Sequence, residues 1–200
     1  MIENAKIGVV ILAAGSSNRL GYAKQLVEFK GKSLLQRTID ASASLEFDSK
    51  ILILGARKEK IENEIDIQGF EIVNNENWEE GMSTSIIAGL KKSLEIEKDL
   101  QHLLILLSDQ PFVSQEKIEQ LISAHLKGNS LTTFSEYAGD VGVPAIFSSE
   151  VFQDLKELKG DQGAKKLIYE NKFDYRTVKF EEGNFDVDTA DDVERLKKLE

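Results

Sequence analysis

Two stretches of this 200-residue chain, I-G-V-V-I-L-A at 7–13 and L-L-I-L-L at 103–107, are apolar at every position. Side chains along a strand alternate between two faces, so a run that is apolar throughout must be covered on both, as in the centre of a sheet packed between helices. Further runs of strand length stand at 51–54 and 70–73, and segments with helical periodicity lie between the runs at 33–45, 82–94 and 115–126. That alternation predicts a Rossmann-like, doubly wound α/β fold with a mostly parallel sheet, in which the first and fourth runs are neighbours or near neighbours. After about residue 128 the rhythm loosens: L-T-T-F and V-P-A-I-F read as short strands, followed by a helix pair near 149–169, a strand at 174–180 and a terminal helix from about 189. There is no Pro-rich or Ser-rich linker and no internal repeat, so residues 1–200 read as one domain.

The first run stops abruptly at A-G-S-S-N-R-L-G-Y-A-K, residues 14–24. A strand feeding a Gly-rich loop is suited to anion binding: Gly15 and Gly21 permit backbone geometry closed to other residues, and exposed N–H groups can approach a triphosphate. Arg19 and Lys24 would supply charge. Neither G-x-G-x-x-G nor G-x-x-x-x-G-K-[ST] occurs here, so this is a phosphate loop of another kind.

Charge narrows the partners. With 35 acidic residues against 25 basic ones and a net charge of −10, a nucleic-acid partner would be repelled overall, whereas a small nucleotide needs only a few local cations and a metal ion. The absence of cysteine excludes disulfides, cysteine nucleophiles and thiolate metal sites. M-I-E-N-A-K lacks a basic leader, and no apolar run approaches the roughly 20 residues of a spanning helix, so the expectation is a cytoplasmic protein without membrane contact.

In L-L-I-L-L-S-D-Q-P-F-V, Asp109 stands just past the carboxyl end of a buried strand, where open α/β sheets bind ligands. A carboxylate there suits Mg²⁺, which takes one or two protein oxygens plus substrate phosphates; Asp before Gln and Pro is equally a turn former. A second acid is available in N-F-D-V-D-T-A-D-D-V, where Asp186 and Asp188 alternate on an extended piece and point to the same side, ahead of a helix capped by Thr189 or Asp191. In E-E-G-M-S-T-S-I-I-A-G-L, the helix start at Gly81, Ser83 and Ser85 could hold a base edge or ribose, or the serines could cap the helix. His102 and His125 read as structural, Trp78 as a packing anchor, and the charged stretches R-K-E-K-I-E-N-E at 57–64 and E-E-G-N near 181 as solvated faces.

The segment L-A-A-G-x-S-x-R-L-G-x-x-K resembles the signature of the MobA-like NTP transferases, and within them the molybdenum cofactor cytidylyltransferases. G-M-S-x-S, S-D-Q-P, G-x-P-x-x-F, G-D-x-G-A and the terminal D-x-D-T follow in the expected order, from Leu12 to Thr189. The resemblance implies a fold of the nucleotide-diphospho-sugar transferase type that moves CMP from CTP to molybdopterin or its molybdenum-loaded form, releasing pyrophosphate. It implies Arg19 and Lys24 as catalytic cations, Leu12, Ala13, Ala14, Gly15, Gly81, Ser83 and Ser85 at the nucleotide, and Gln110, Gly142, Pro144, Gly160, Asp161 and Gly163 at the acceptor. Mg²⁺ would lie on Asp109 and Asp188, with Asp186 as the alternative to Asp188. L-A-A-G resembles the cytidylyl-transferring branch, L-A-G-G the guanylyl-transferring one; Ala14 leaves less room for a purine. Departures are Leu20 where Met is usual, no Pro flanking the K-G of L-V-E-F-K-G-K-S, and Lys165 for the Arg of G-D-x-G-A-R, which cannot form a bidentate fork to phosphate. Other implied roles are a sugar-phosphate or polyol-phosphate nucleotidyltransferase, or a non-catalytic carrier delivering cofactor to an apo molybdenum hydroxylase.

Overall fold

A computed structural model describes residues 5–169 and 173–200 of the chain. Residues 1–4, which carry most of the stretch read for a leader, lie outside the described residues. In chain order the elements are β1 (Ile7–Ala13), β2 (Glu28–Phe29), β3 (Lys32–Ser33), α1 (Leu34–Ala43), β4 (Ser49–Leu54), α2 (Lys58–Glu62), β5 (Glu71–Asn74) and α3 (Met82–Ile96). They continue with β6 (His102–Leu107), α4 (Gln115–Lys127), β7 (Thr132–Tyr137), β8 (Asp140–Ser148), α5 (Phe152–Lys156), α6 (Lys166–Tyr169), β9 (Tyr175–Lys179) and α7 (Ala190–Lys197).

One seven-stranded sheet runs in the order β5-β4-β1-β6-β8-β7-β9. β5, β4, β1 and β6 are mutually parallel, β8 is antiparallel to both β6 and β7, and β9 returns parallel to β7. The two all-apolar runs are adjacent, with Leu12 opposite Leu107. Alternation along β1 explains why: Val9, Ile11 and Ala13 join a core beneath α1 and α4 with Leu35, Ile39 and Leu121, while Val10 and Leu12 join a second core beneath α3 and α5 with Ile86, Leu90 and Leu155. Each face buries a hydrophobic layer, which is what favours the doubly wound arrangement.

Register sets the site. β1, β4 and β6 end together, since Ala13 pairs with Leu54 and Leu12 with Leu107. Because β8 runs antiparallel, its first residues return to this same edge, and the turn joining it to β7 uses Ala138 and Gly139 at φ of 52° and 76°. Two consecutive positive φ values suit the right-handed twist of a hairpin. The segments read as L-T-T-F and V-P-A-I-F are therefore arms of one longer hairpin. Ser33 and Ser114 cap α1 and α4 by accepting from Gln36 N–H and Lys117 N–H, and Thr189 with Asp192 forms a capping box on α7. The 57–64 stretch holds α2, whose Ile61 is fully buried. No helix among the described residues is long and apolar enough to cross a membrane.

At the opposite edge His125, 3% exposed, has Nδ1 3.0 Å from Thr133 Oγ1 and Nε2 3.1 Å from His102 Nδ1 and 3.2 Å from Ser148 Oγ. Burial, with the neighbouring His102, pushes its imidazole down to about 4. The two rings and the hydroxyls of Thr133 and Ser148 thus form one hydrogen-bonded network at this edge.

Two consequences can be measured. Gly89 of α3 crosses β1 so closely that an added Cβ would lie 2.5 Å from Val10 Cγ1. Gly to Ala inside a helix ordinarily stabilises by about 1 kcal/mol; here overpacking costs about 1–3 kcal/mol, so Gly89→Ala lowers the unfolding free energy in urea, and a gain would contradict this packing. For His125 the folded value lies below the unfolded one, so between about pH 6.5 and 4 the unfolded chain takes up the proton first and stability falls as pH drops. His125→Gln should lose about 2 kcal/mol less than the native chain on going from pH 7 to 4.5, compared by denaturant titration; equal losses would remove the burial account.

Candidate active site

The loop after β1 is built around its carbonyls. Gln25, 1% exposed, donates through Nε2 to Ala13 O at 2.9 Å and Gly15 O at 3.0 Å. Leu20 N–H and Gly21 N–H donate to Ser17 O at 3.1 and 3.0 Å, and Lys24 N–H donates to Ser17 Oγ at 3.1 Å. Gly21 adopts the left-handed region at φ 81°, but Gly15 does not; the other left-handed residue is Ser17, at 57°. An added Cβ at Gly15 would meet nothing within 4 Å, so its bareness leaves open space and not a special φ. Among the described residues, the amides of 15–19 donate to no protein acceptor.

Lys24 reaches from this loop across the strand ends. Its Nζ lies 2.5 Å from Asp109 Oδ2 and 2.7 Å from Asp188 Oδ1, and Arg19 Nη2 lies 2.8 Å from Asp188 Oδ2. Burial alone would push Lys24 down, but the two carboxylates outweigh it and hold its ammonium above the usual lysine range. Partial burial would raise Asp188, yet Lys24 and Arg19 bring its carboxyl below the ordinary value. Asp186 is the contrast: desolvation of its carboxyl, then the Asp109 charge, push it up to about 6, although the residue's surface is open overall. The tail is pinned here because Val187 N–H donates to Asp109 O at 3.2 Å.

Asp109 is 8% exposed, and its Oδ1 is buried with no hydrogen-bond partner. A buried carboxylate oxygen without a donor is costly unless something positive completes it. With Asp188 on the other side of Lys24, the donor set is hard oxygen, which fits a magnesium-like cation that relies on phosphates for much of its shell. No group of three or more His, Cys, Asp or Glu able to hold a metal forms among the described residues.

A cleft of about 510 Å³ opens between these groups and the start of α3. Of the residues singled out from the sequence, Leu12, Ala13, Ala14, Gly15, Lys24, Gly81, Ser85, Asp109 and Asp161 line it. Arg19 and Asp188 join through the ion pairs with Lys24. Neither Ser83 nor Ser85 caps α3: its N-cap is Gly81, at φ 110°, and Ser83 N–H donates to Gly160 O at 3.1 Å. Ser83 sits behind the cleft wall, whereas Ser85 Oγ accepts from Asn75 Nδ2 at 2.9 Å.

Packing explains three of the glycines expected at the nucleotide or at the acceptor. An added Cβ on Gly81 would fall 2.2 Å from Gly160 C, one on Gly142 2.0 Å from Tyr137 Oη, and one on Gly163 3.3 Å from Met82 Sδ. Pro144 follows a cis peptide bond and its carbonyl accepts from Ser135 Oγ at 2.8 Å. Gln110 donates to Val143 O at 3.1 Å and Gly183 O at 3.0 Å, tying β8 to the tail. Of the six acceptor positions only Asp161 lines the cleft. Sequence reasoning missed Gln25, whose burial nothing in its neighbours signals. Trp78 is both anchor and wall: Gly55 packs against its Cβ, and its surface lines the cleft.

A profile described as the MobA-like NTP transferase domain matches residues 9–175. Among solved structures, Rv0371c of Mycobacterium tuberculosis H37Rv superposes with a TM-score of 0.84 at 31% identity, over 98% of this chain and 99% of that one. A structure of Rv0371c in complex with manganese gives 0.79 at 28%, over 97% and 99%. Among curated proteins, nicotine blue oxidoreductase of Paenarthrobacter nicotinovorans is 26% identical over 94% of each chain.

The glycine geometry separates two substitutions that look alike in sequence. Gly81→Ala places a methyl against the Gly160 backbone at a φ unfavourable to alanine and is expected to cost about 2–3 kcal/mol. Gly15→Ala, facing open space, should stay within about 0.5 kcal/mol of the native chain. Urea unfolding of both reads the difference directly, and equal effects would refute it.

Proposed function

The chain belongs to the MobA-like NTP transferase domain family, and from that premise we propose that this nucleotidyltransferase moves CMP from CTP onto the phosphate of molybdopterin, or of its molybdenum-loaded form, with release of pyrophosphate. The observation that carries the reading is the Lys24 ammonium set between Asp109 and Asp188 beside a loop in which, among the described residues, the amides of 15–19 are unengaged. The loop amides and the Arg19 and Lys24 cations receive the triphosphate. A phosphate oxygen of the acceptor attacks the α-phosphorus in line, the bond to the bridging oxygen of the β-phosphate breaks, and that oxygen leaves with the pyrophosphate. Magnesium held by Asp109 and Asp188 would supply charge neutralisation and polarise the phosphoryl oxygens. This chain's contribution is alignment of the acceptor oxygen and stabilisation of charge developing on the leaving group, without a protein nucleophile.

Preference for CTP is supported by Ala14, a buried residue whose methyl narrows the wall where a purine would need room. The pterin acceptor is supported by the ordered run of motifs from Leu12 to Thr189. Gln110, Gly142, Pro144, Gly160 and Gly163 belong to this reading as holders of the acceptor-side segments, and Asp161 as the residue that faces the acceptor.

The test is pyrophosphate release with Mg²⁺, comparing CTP, GTP and ATP, with molybdopterin, with a sugar phosphate and without acceptor. Release that requires CTP and the pterin is expected. CTP binding with no release under any condition would favour a cofactor carrier. Asp109→Asn should fold normally and lower turnover by about a hundredfold or more; near-native turnover would remove Asp109 from the metal site.

A further inference from the structure

The stretch R-K-E-K-I-E-N-E reads as a solvated face, but its first residue, itself exposed, reaches across the surface to the phosphate loop. Arg57, at the start of α2, stands at φ 62°, a left-handed conformation that residues with a Cβ seldom adopt. From there its Nη2 donates to Gly21 O at 2.9 Å and its Nε to Ser16 O at 3.4 Å. The residues just before it press on the same loop: Ala56 N–H donates to Ala14 O at 3.0 Å, and an added Cβ on Gly55 would lie 2.9 Å from that carbonyl. Gln25 takes the carbonyls of Ala13 and Gly15 from the other side.

The carbonyl of one residue and the N–H of the next share a planar trans peptide unit and point in opposite directions. Drawing the carbonyls of Ala14, Gly15 and Ser16 onto protein donors therefore turns the amides of Gly15, Ser16 and Ser17 the other way. Among the described residues those amides have no protein acceptor, and Gly15 and Ser16 line the cleft.

We infer that Arg57 is a positioning residue for the polyphosphate of the nucleotide: by gripping the carbonyls of Ser16 and Gly21 it holds the loop with its amides converging on the anion. It acts through the loop and touches no substrate. The inference rests on the nucleotide reading above, and the two can be told apart.

The experiment titrates the native chain and the variants Arg57→Ala, Arg57→Gly and Arg57→Lys with CTP, tripolyphosphate and cytidine in the presence of Mg²⁺, by calorimetry for the anions and by NMR shifts for the nucleoside. Glycine relieves the left-handed φ, and lysine keeps the charge but loses the fork. Expected is a weakening of about tenfold for CTP and tripolyphosphate in all three variants, with cytidine unchanged. Native-like anion affinity in the alanine and glycine variants would overturn the inference alone. So would full rescue by lysine, which would mean charge acting directly on phosphate, or a parallel loss of cytidine binding, which would mean a general structural defect. A native chain that binds neither CTP nor tripolyphosphate would overturn the nucleotide reading and this inference together.

Discussion

One ammonium group joins three parts of the chain that are distant in sequence. Lys24 leaves the loop after β1, meets Asp109 at the end of β6, and meets Asp188 on the segment that precedes α7. In a partly enclosed site, two carboxylates this close to one another repel, and a cation set between them offsets that repulsion. The lysine is that cation, Arg19 adds a second cation on the outer oxygen of Asp188, and Asp186, which neither cation reaches within ion-pair distance, is the acid pushed up to about 6. The tail is thus placed by electrostatics as well as by the Val187 N–H bond to Asp109 O.

That convergence depends on strand direction. Four parallel strands deliver their carboxyl ends to one edge, and the antiparallel insertion of β8 sends the beginning of a strand to the same place. Residues from both halves can therefore face one cleft without a second sheet, in keeping with ligand binding beyond the carboxyl ends of strands in open α/β folds.

Much of this was legible in the sequence because it follows from local pattern. Two runs apolar at every position had to be central strands, and they are neighbours. Asp109 follows one of them, and of the two candidate caps, Thr189 and Asp191, it is Thr189 that caps the last helix. What was not legible depends on contacts between distant segments. A glycine that faces a ligand and one that faces another backbone are written alike, so Gly81 and Gly142 gave no hint that Gly160 and Tyr137 were the reason for their bareness. Left-handed Arg57 and Ala138 carry side chains that ordinarily argue against such turns, and a single buried Ile61 was too little to reveal α2 within a charged stretch. Gln25 shows the same limit, since a polar residue becomes a buried support only when two carbonyls happen to lie above it.

The close approach of Gly81 to Gly160 has a mechanical side. Backbone packed on backbone, with Ser83 N–H bonded across, makes the α3 end of the cleft and the segment bearing Asp161 one rigid wall. The opposite rim is spanned by side-chain ion pairs, one of them the exposed Arg19 with Asp188. Dissolved salt screens such pairs and leaves van der Waals contact untouched. The cleft therefore has one fixed jaw and one whose outermost ion pair loosens as the ionic strength of the surrounding solution rises.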